Sequence, residues 1–215
     1  MNSYLVAQRL TEQLKQPSVI LSRKHPPQDV PKPSNFMTFH ALIARIIRSY
    51  EKEMQSSKID LLGGHMYHWV EQALQEIFDR RPTIDEIKTY YSNWRLYKNG
   101  SSVSQQLPFW GEFIERYSSF QEGLDWESSF HMAIHLLNND YVSYFDKFYY
   151  QNLILVQPEL LDYPWNRNAK AFFLSLCSWI ERNNKGWNVF VADSHIVRMY
   201  QRGNFIPYRL IGNLH

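Results

Sequence analysis

The chain has 215 residues, of which 44% are apolar and 16% aromatic; this supports a buried core and excludes disorder over the chain as a whole. A formal net charge of +2 excludes a uniformly basic nucleic-acid binder, so local patches must decide. The lone cysteine, Cys177, excludes an intramolecular disulfide framework, and no stretch approaches the ~20 apolar residues of a membrane span.

The N-terminal MNSYLVAQRLTEQLKQ is too polar for a signal peptide, so a soluble, cytoplasmic protein with no membrane partner is expected. Residues 3–16 read as a short helix with Tyr4, Ala7, Thr11 and Leu14 on one face. Residues 22–35, SRKHPPQDVPKPSN, carry Pro26, Pro27, Pro31 and Pro33 and read as an extended arm. There Arg23, Lys24 and Lys32 supply positive charge. A helix over 38–54 follows, with Phe39, Leu42, Ile43, Ile46, Ile47 and Tyr50 at helical spacing. Gly63 and Gly64 separate it from another over 65–79, where Met66, Trp69, Val70, Ala73, Leu74, Ile77 and Phe78 recur every three or four residues.

In DRRPTIDEIK, Pro82 stops that helix, and Thr83 with Glu86 three residues on forms a capping box for the next. Ile84, Ile87, Tyr91 and Trp94 make its apolar face, and Gly100 supplies a left-handed C-terminal cap. A third helix, capped by Ser101 or Ser102, carries Val103, Leu107, Trp110, Ile114 and Tyr117; Pro108 within it predicts a kink or a split. Helix, break, helix, glycine turn, helix is the layout of a helix-turn-helix unit. Its third helix would offer Ser102, Ser104, Gln105 and Gln106 to base edges. Arg80, Arg81, Lys88, Arg95 and Lys98 would meet phosphates, with Thr83 at the corner.

EQALQEIFDRRPTIDEIK followed by VSQQLPFW resembles the N-terminal DNA-binding domain of KfrA-type plasmid proteins, over roughly residues 65–117. The positions that carry the likeness are Arg80, Arg81, Pro82, Thr83, Ile87, Lys88, Gly100, Val103, Leu107 and Trp110. The resemblance implies a helix-turn-helix or winged-helix domain that binds double-stranded DNA as a regulator or accessory factor of a plasmid or other mobile element. The alanine- and glutamate-rich coiled coil of that family does not follow here.

Residues 110–165 hold nine acids against two bases, net −7, which repels a duplex and suits a protein partner. DWESSFHMAIHLLNN reads as a helix, VSYFDKFYYQNLILV is ambiguous between helix and strand, and NAKAFFLSLCSWIERNN reads as a helix. WNVFVA reads as a strand, and HIVRMYQ and FIPYRLI flank RGN as a hairpin. Arg198, Tyr200 and Arg202 share one face of it, and from Arg182 onward five bases face one acid. This is either a second nucleic-acid surface or a charged edge that blocks aggregation.

His65 with His68 and His131 with His135 have spacings that share a helix face, but HExxH is absent. Phosphate-binding glycine loops and G-x-S-x-G elbows are also absent, so neither an enzyme nor a cofactor nor a metal is expected. Cys177 reads as a small buried apolar group. The expected architecture is mainly α with a small C-terminal β-hairpin or sheet. It divides into a helix and arm at 1–35, a helix-turn-helix-like domain at 36–120 and an α+β region at 121–215. DNA binding is the first functional expectation, with a homodimer possible. A protein-interaction module using the aromatic and acidic surfaces of 110–165 is the second.

Overall fold

SVILS, NLILV and NVFVA are short, branched and apolar on both faces, which is how a strand buried on both sides of a parallel sheet reads. The computed structural model describes residues 2–23, 35–61, 66–101, 107–120, 123–143, 150–183 and 186–211. The strands are β1 (Ser18–Ser22), β2 (Phe36–Thr38), β3 (Asn152–Val156), β4 (Asn188–Ala192), β5 (Val197–Gln201) and β6 (Asn204–Tyr208), in the spatial order β2-β1-β3-β4-β5-β6. The first four are mutually parallel, and β5 and β6 add antiparallel pairs at one edge. The helices are α1 (Ser3–Leu14), α2 (Phe39–Met54), α3 (Met66–Phe78), α4 (Ile84–Lys98), α5 (Trp110–Ser119), α6 (Trp126–Asn138) and α7 (Arg167–Asn183). Two 3-10 turns, Pro158–Asp162 and Pro164–Asn166, link β3 to α7.

Alternate residues along each strand sort into two cores. Val19, Leu21, Leu153, Leu155, Val189 and Val191 face α2, α6 and α7, where Phe39, Phe130, Phe172 and Trp179 are fully buried. Ile20, Ile154, Val156, Phe190 and Ala192 face α1 through Tyr4, Val6, Ala7 and Leu10. In the first of these cores Trp179 is tolerated because its Nε1–H donates to the Val142 carbonyl at 3.0 Å. A third core, Val70, Ala73, Leu74, Tyr90, Trp94, Phe113 and Tyr117, holds α3, α4 and α5 together.

The molecule is therefore mixed α/β, and the expectation of a mainly helical protein with a small C-terminal sheet is corrected. The hairpin is present, but it extends a parallel sheet that begins at residue 18. In the turn, Arg202 and Gly203 both have positive φ, 49° and 80°, the geometry that suits strand twist in a two-residue hairpin. The helix over 38–54 packs its apolar face on the sheet with α6 and α7, apart from the core of α3–α5. Of the third helix of the expected helix-turn-helix, the described residues hold α5, which begins at Trp110; the stretch from Ser102 to Gln106, where its start was expected, lies outside them. Pro108 lies before the helix, where its missing N–H costs nothing, and Phe109 turns the chain at φ 55°. Gly100 takes the left-handed conformation foreseen for it, φ 66°.

Candidate anion-binding site

Ligands of open α/β sheets bind beyond the carboxyl ends of the strands, where neighbouring connections leave in different directions. Here β1 and β3 are neighbours, and β1 leads towards β2 while β3 leads through the 3-10 turns to α7. The innermost layer of that crevice is filled. Tyr4 Oη donates to Ser22 Oγ at 3.1 Å, and Gln157 Oε1 lies 3.3 Å from each hydroxyl.

Above this layer, Arg23 leaves the end of β1 and turns inward. Its Nε donates to Asn166 Oδ1 at 3.3 Å, and its guanidinium lies 5.9 Å from the Trp126 ring centre and 5.5 Å from that of Phe130. Arg95 reaches the same oxygen from α4, with Nη2 also at 3.3 Å from Asn166 Oδ1. Two guanidinium groups thus share one neutral amide oxygen. Burial and the charge of Arg95, opposed in part by Glu127, push Arg23 down to about 10, so it remains cationic at neutral pH.

Arg95 is the better compensated. Its Nε donates to Glu127 Oε1 at 3.1 Å and its Nη2 to the Trp165 carbonyl at 3.1 Å. The Glu127 side chain is 3% exposed and that of Arg95 22%. The other Glu127 oxygen accepts from Asn99 and Asn168, each at 2.9 Å, and Asn99 Oδ1 in turn accepts the Asn168 amide at 2.7 Å. Asp125, the next carboxylate, is spent on Trp94 Nε1 at 3.0 Å and on the Ser128 amide that it caps. Among the described residues, Arg23 has no carboxylate partner.

His40 completes the group. It stands in the first turn of α2, next to Trp126 and Phe130. Its Nε2 is buried with no hydrogen-bond partner among the described residues. Burial, then Arg23 and Arg95, push it down to about 2, so the ring is neutral. The α2 amino terminus adds its partial positive charge.

The sequence-derived candidates are distributed elsewhere, with one exception. Arg80 is bidentate to Glu86, with Nη1 at 3.0 Å and Nη2 at 2.5 Å. Arg81 pairs with Glu71 at 3.1 Å. Thr83 caps α4 with both arms of the capping box present. Lys88 is exposed, and Lys98 lies over the Trp94 ring at 5.2 Å. Arg198 and Arg202 are exposed on the hairpin. Ser102, Ser104, Gln105 and Gln106 lie outside the described residues. Arg95, foreseen as a phosphate contact at the surface, is turned into the molecule.

Arg23, His40, Glu127, Asn166 and Asn168 were not singled out as a site from the sequence. A usable signal existed: SVILS followed at once by Arg23 is a buried strand with a cation at its carboxyl end. No protein family, curated protein or solved structure matches the chain.

Proposed function

We propose that the protein binds a small phosphorylated molecule beyond the carboxyl ends of β1 and its neighbours β2 and β3, with Arg23 as the principal anchor, His40 Nε2 as a neutral donor and Arg95 as the fixed second cation. One observation carries this reading: two partly buried guanidinium groups converge on a single neutral oxygen, and only Arg95 is ion-paired to a carboxylate, Glu127, whose charge reaches Arg23 without a direct bond. Burying an uncompensated charge costs several kcal/mol, and an anion that accepts from both groups offsets that cost with charge-assisted hydrogen bonds. The amino terminus of α2 favours the same charge.

Isothermal titration of the full chain with orthophosphate and with nucleoside monophosphates tests it. Saturable binding that Arg23→Met weakens at least tenfold supports the proposal. No binding, or binding that survives the substitution unchanged, contradicts it.

Duplex DNA binding by the α3–α5 unit is a second reading, favoured by the capped corner at Thr83 and by the exposed bases Arg81 and Lys88 beside it. It requires Arg80 and Arg81 to exchange Glu86 and Glu71 for phosphate. Fluorescence anisotropy with random duplex should then show an affinity that falls steeply with salt, and a shallower slope for Arg80→Ala/Arg81→Ala. A slope that the double substitution leaves unchanged removes this reading.

A further inference from the structure

A second opening lies on the α7 side of the sheet, at the carboxyl ends of β3 and β4. It has a volume of about 160 Å³. Its floor is Leu155 and Val191, its walls are Leu161, Phe173 and Phe205, and Leu174 stands at its rim, 45% exposed. Phe173 and Phe205 are nearly parallel, 13° apart with ring centres at 6.1 Å, which joins the hairpin to α7 and fixes one wall.

Three charged residues line this opening: Asp162, Lys170 and Arg198. Lys170 Nζ donates to Asp162 Oδ1 at 2.7 Å, so those two charges compensate each other. Arg198 is left over. Strand pairing places Leu155 opposite Val191, and Val191 opposite Arg198. The guanidinium therefore continues a row of apolar side chains on the helix-covered face of the sheet. Among the described residues no carboxylate pairs with it.

We infer that this opening is a binding site for a small amphipathic carboxylate, whose apolar part lies on Leu155, Val191 and Phe173 and whose carboxylate pairs with Arg198. An apolar cavity with one uncompensated planar cation at its mouth matches that chemistry. The apolar part gains from leaving water, and the guanidinium donates side by side to both carboxylate oxygens. A neutral apolar molecule would leave Arg198 without a partner, and a phosphate dianion would leave the apolar walls unused. The site is independent of the one at Arg23.

NMR titration of the full chain with hexanoate, 1-hexanol and orthophosphate tests the assignment. Hexanoate should give saturable shifts at Leu155, Val191 and Phe173, and 1-hexanol should bind at least tenfold more weakly, as expected for loss of a charge-assisted pair. Arg198→Gln, a surface change that leaves the core intact, should reduce hexanoate to the affinity of the alcohol. Arg23→Met should leave hexanoate binding unchanged. Equal affinity for acid and alcohol, an unaltered affinity in Arg198→Gln, or no saturable shift with hexanoate overturns the inference.

Discussion

At the scale of single residues, His40 has the clearest consequence. It is a neutral imidazole held between two arginines and two aromatic rings, with a folded-state value of about 2. An unfolded histidine titrates near 6.5, so below that pH the unfolded chain takes up a proton that the folded chain refuses. Stability is therefore unaffected by this group above about pH 6.5. It falls by about 1.4 kcal/mol per pH unit as the solution is acidified from there towards pH 2. Urea unfolding between about pH 7.5 and pH 4.5 should show that slope. His40→Gln should flatten it by about one proton's worth, and an equal slope in both proteins would mean that His40 is charged in the folded state. Nothing in the neighbourhood of His40 in the sequence announces this. Its neutrality comes from burial first, and then from Arg23 and Arg95, 17 residues before it and 55 after it.

At the scale of elements, the helices were the legible part. Apolar residues three and four apart locate α2, α3, α4, α6 and α7 to within a few residues, because each buries one face and leaves the other in water. The corner between α3 and α4 was legible as chemistry. Thr83 Oγ1 accepts the Glu86 amide at 3.2 Å and Glu86 Oε2 accepts the Thr83 amide at 2.8 Å. The Arg80 guanidinium and the Thr83 amide hold the Glu86 carboxylate down at about 2. Thr83→Ala removes one arm of the box, and urea unfolding should show a loss of about 1 kcal/mol. A change indistinguishable from zero would mean that packing on Phe78 and Tyr90 alone sets the corner. The start of α5 was not legible. A helical pattern runs backward through Leu107 to Val103, but Pro108 and the left-handed Phe109 place the first turn at Trp110.

At the scale of the whole molecule, the sheet was the part that sequence patterning hid. A hairpin that shows one face to water alternates apolar and polar residues, so β5 and β6 were visible. A parallel strand covered on both faces does not alternate, and SVILS, between a helix and a proline-rich segment, carries no turn signal of its own. Missing β1 meant missing that Arg23 stands at the end of a central strand, and so missing the site. Its other members, His40, Arg95, Glu127, Asn166 and Asn168, come from five separate elements, and only the fold brings them together. Arg23 is the test of whether that assembly is architecture or function. A structural arginine contributes stability, whereas one held ready for a ligand costs it, because its charge is largely buried with no carboxylate bonded to it among the described residues. The most direct measurement is the stability of Arg23→Met beside the wild type, with and without orthophosphate. Without phosphate the variant should be as stable as the wild type or more stable, by up to about 1–2 kcal/mol, and phosphate should stabilise only the wild type. A variant less stable by about 2 kcal/mol or more, with no response to phosphate in either protein, would make Arg23 a structural strut and contradict the site.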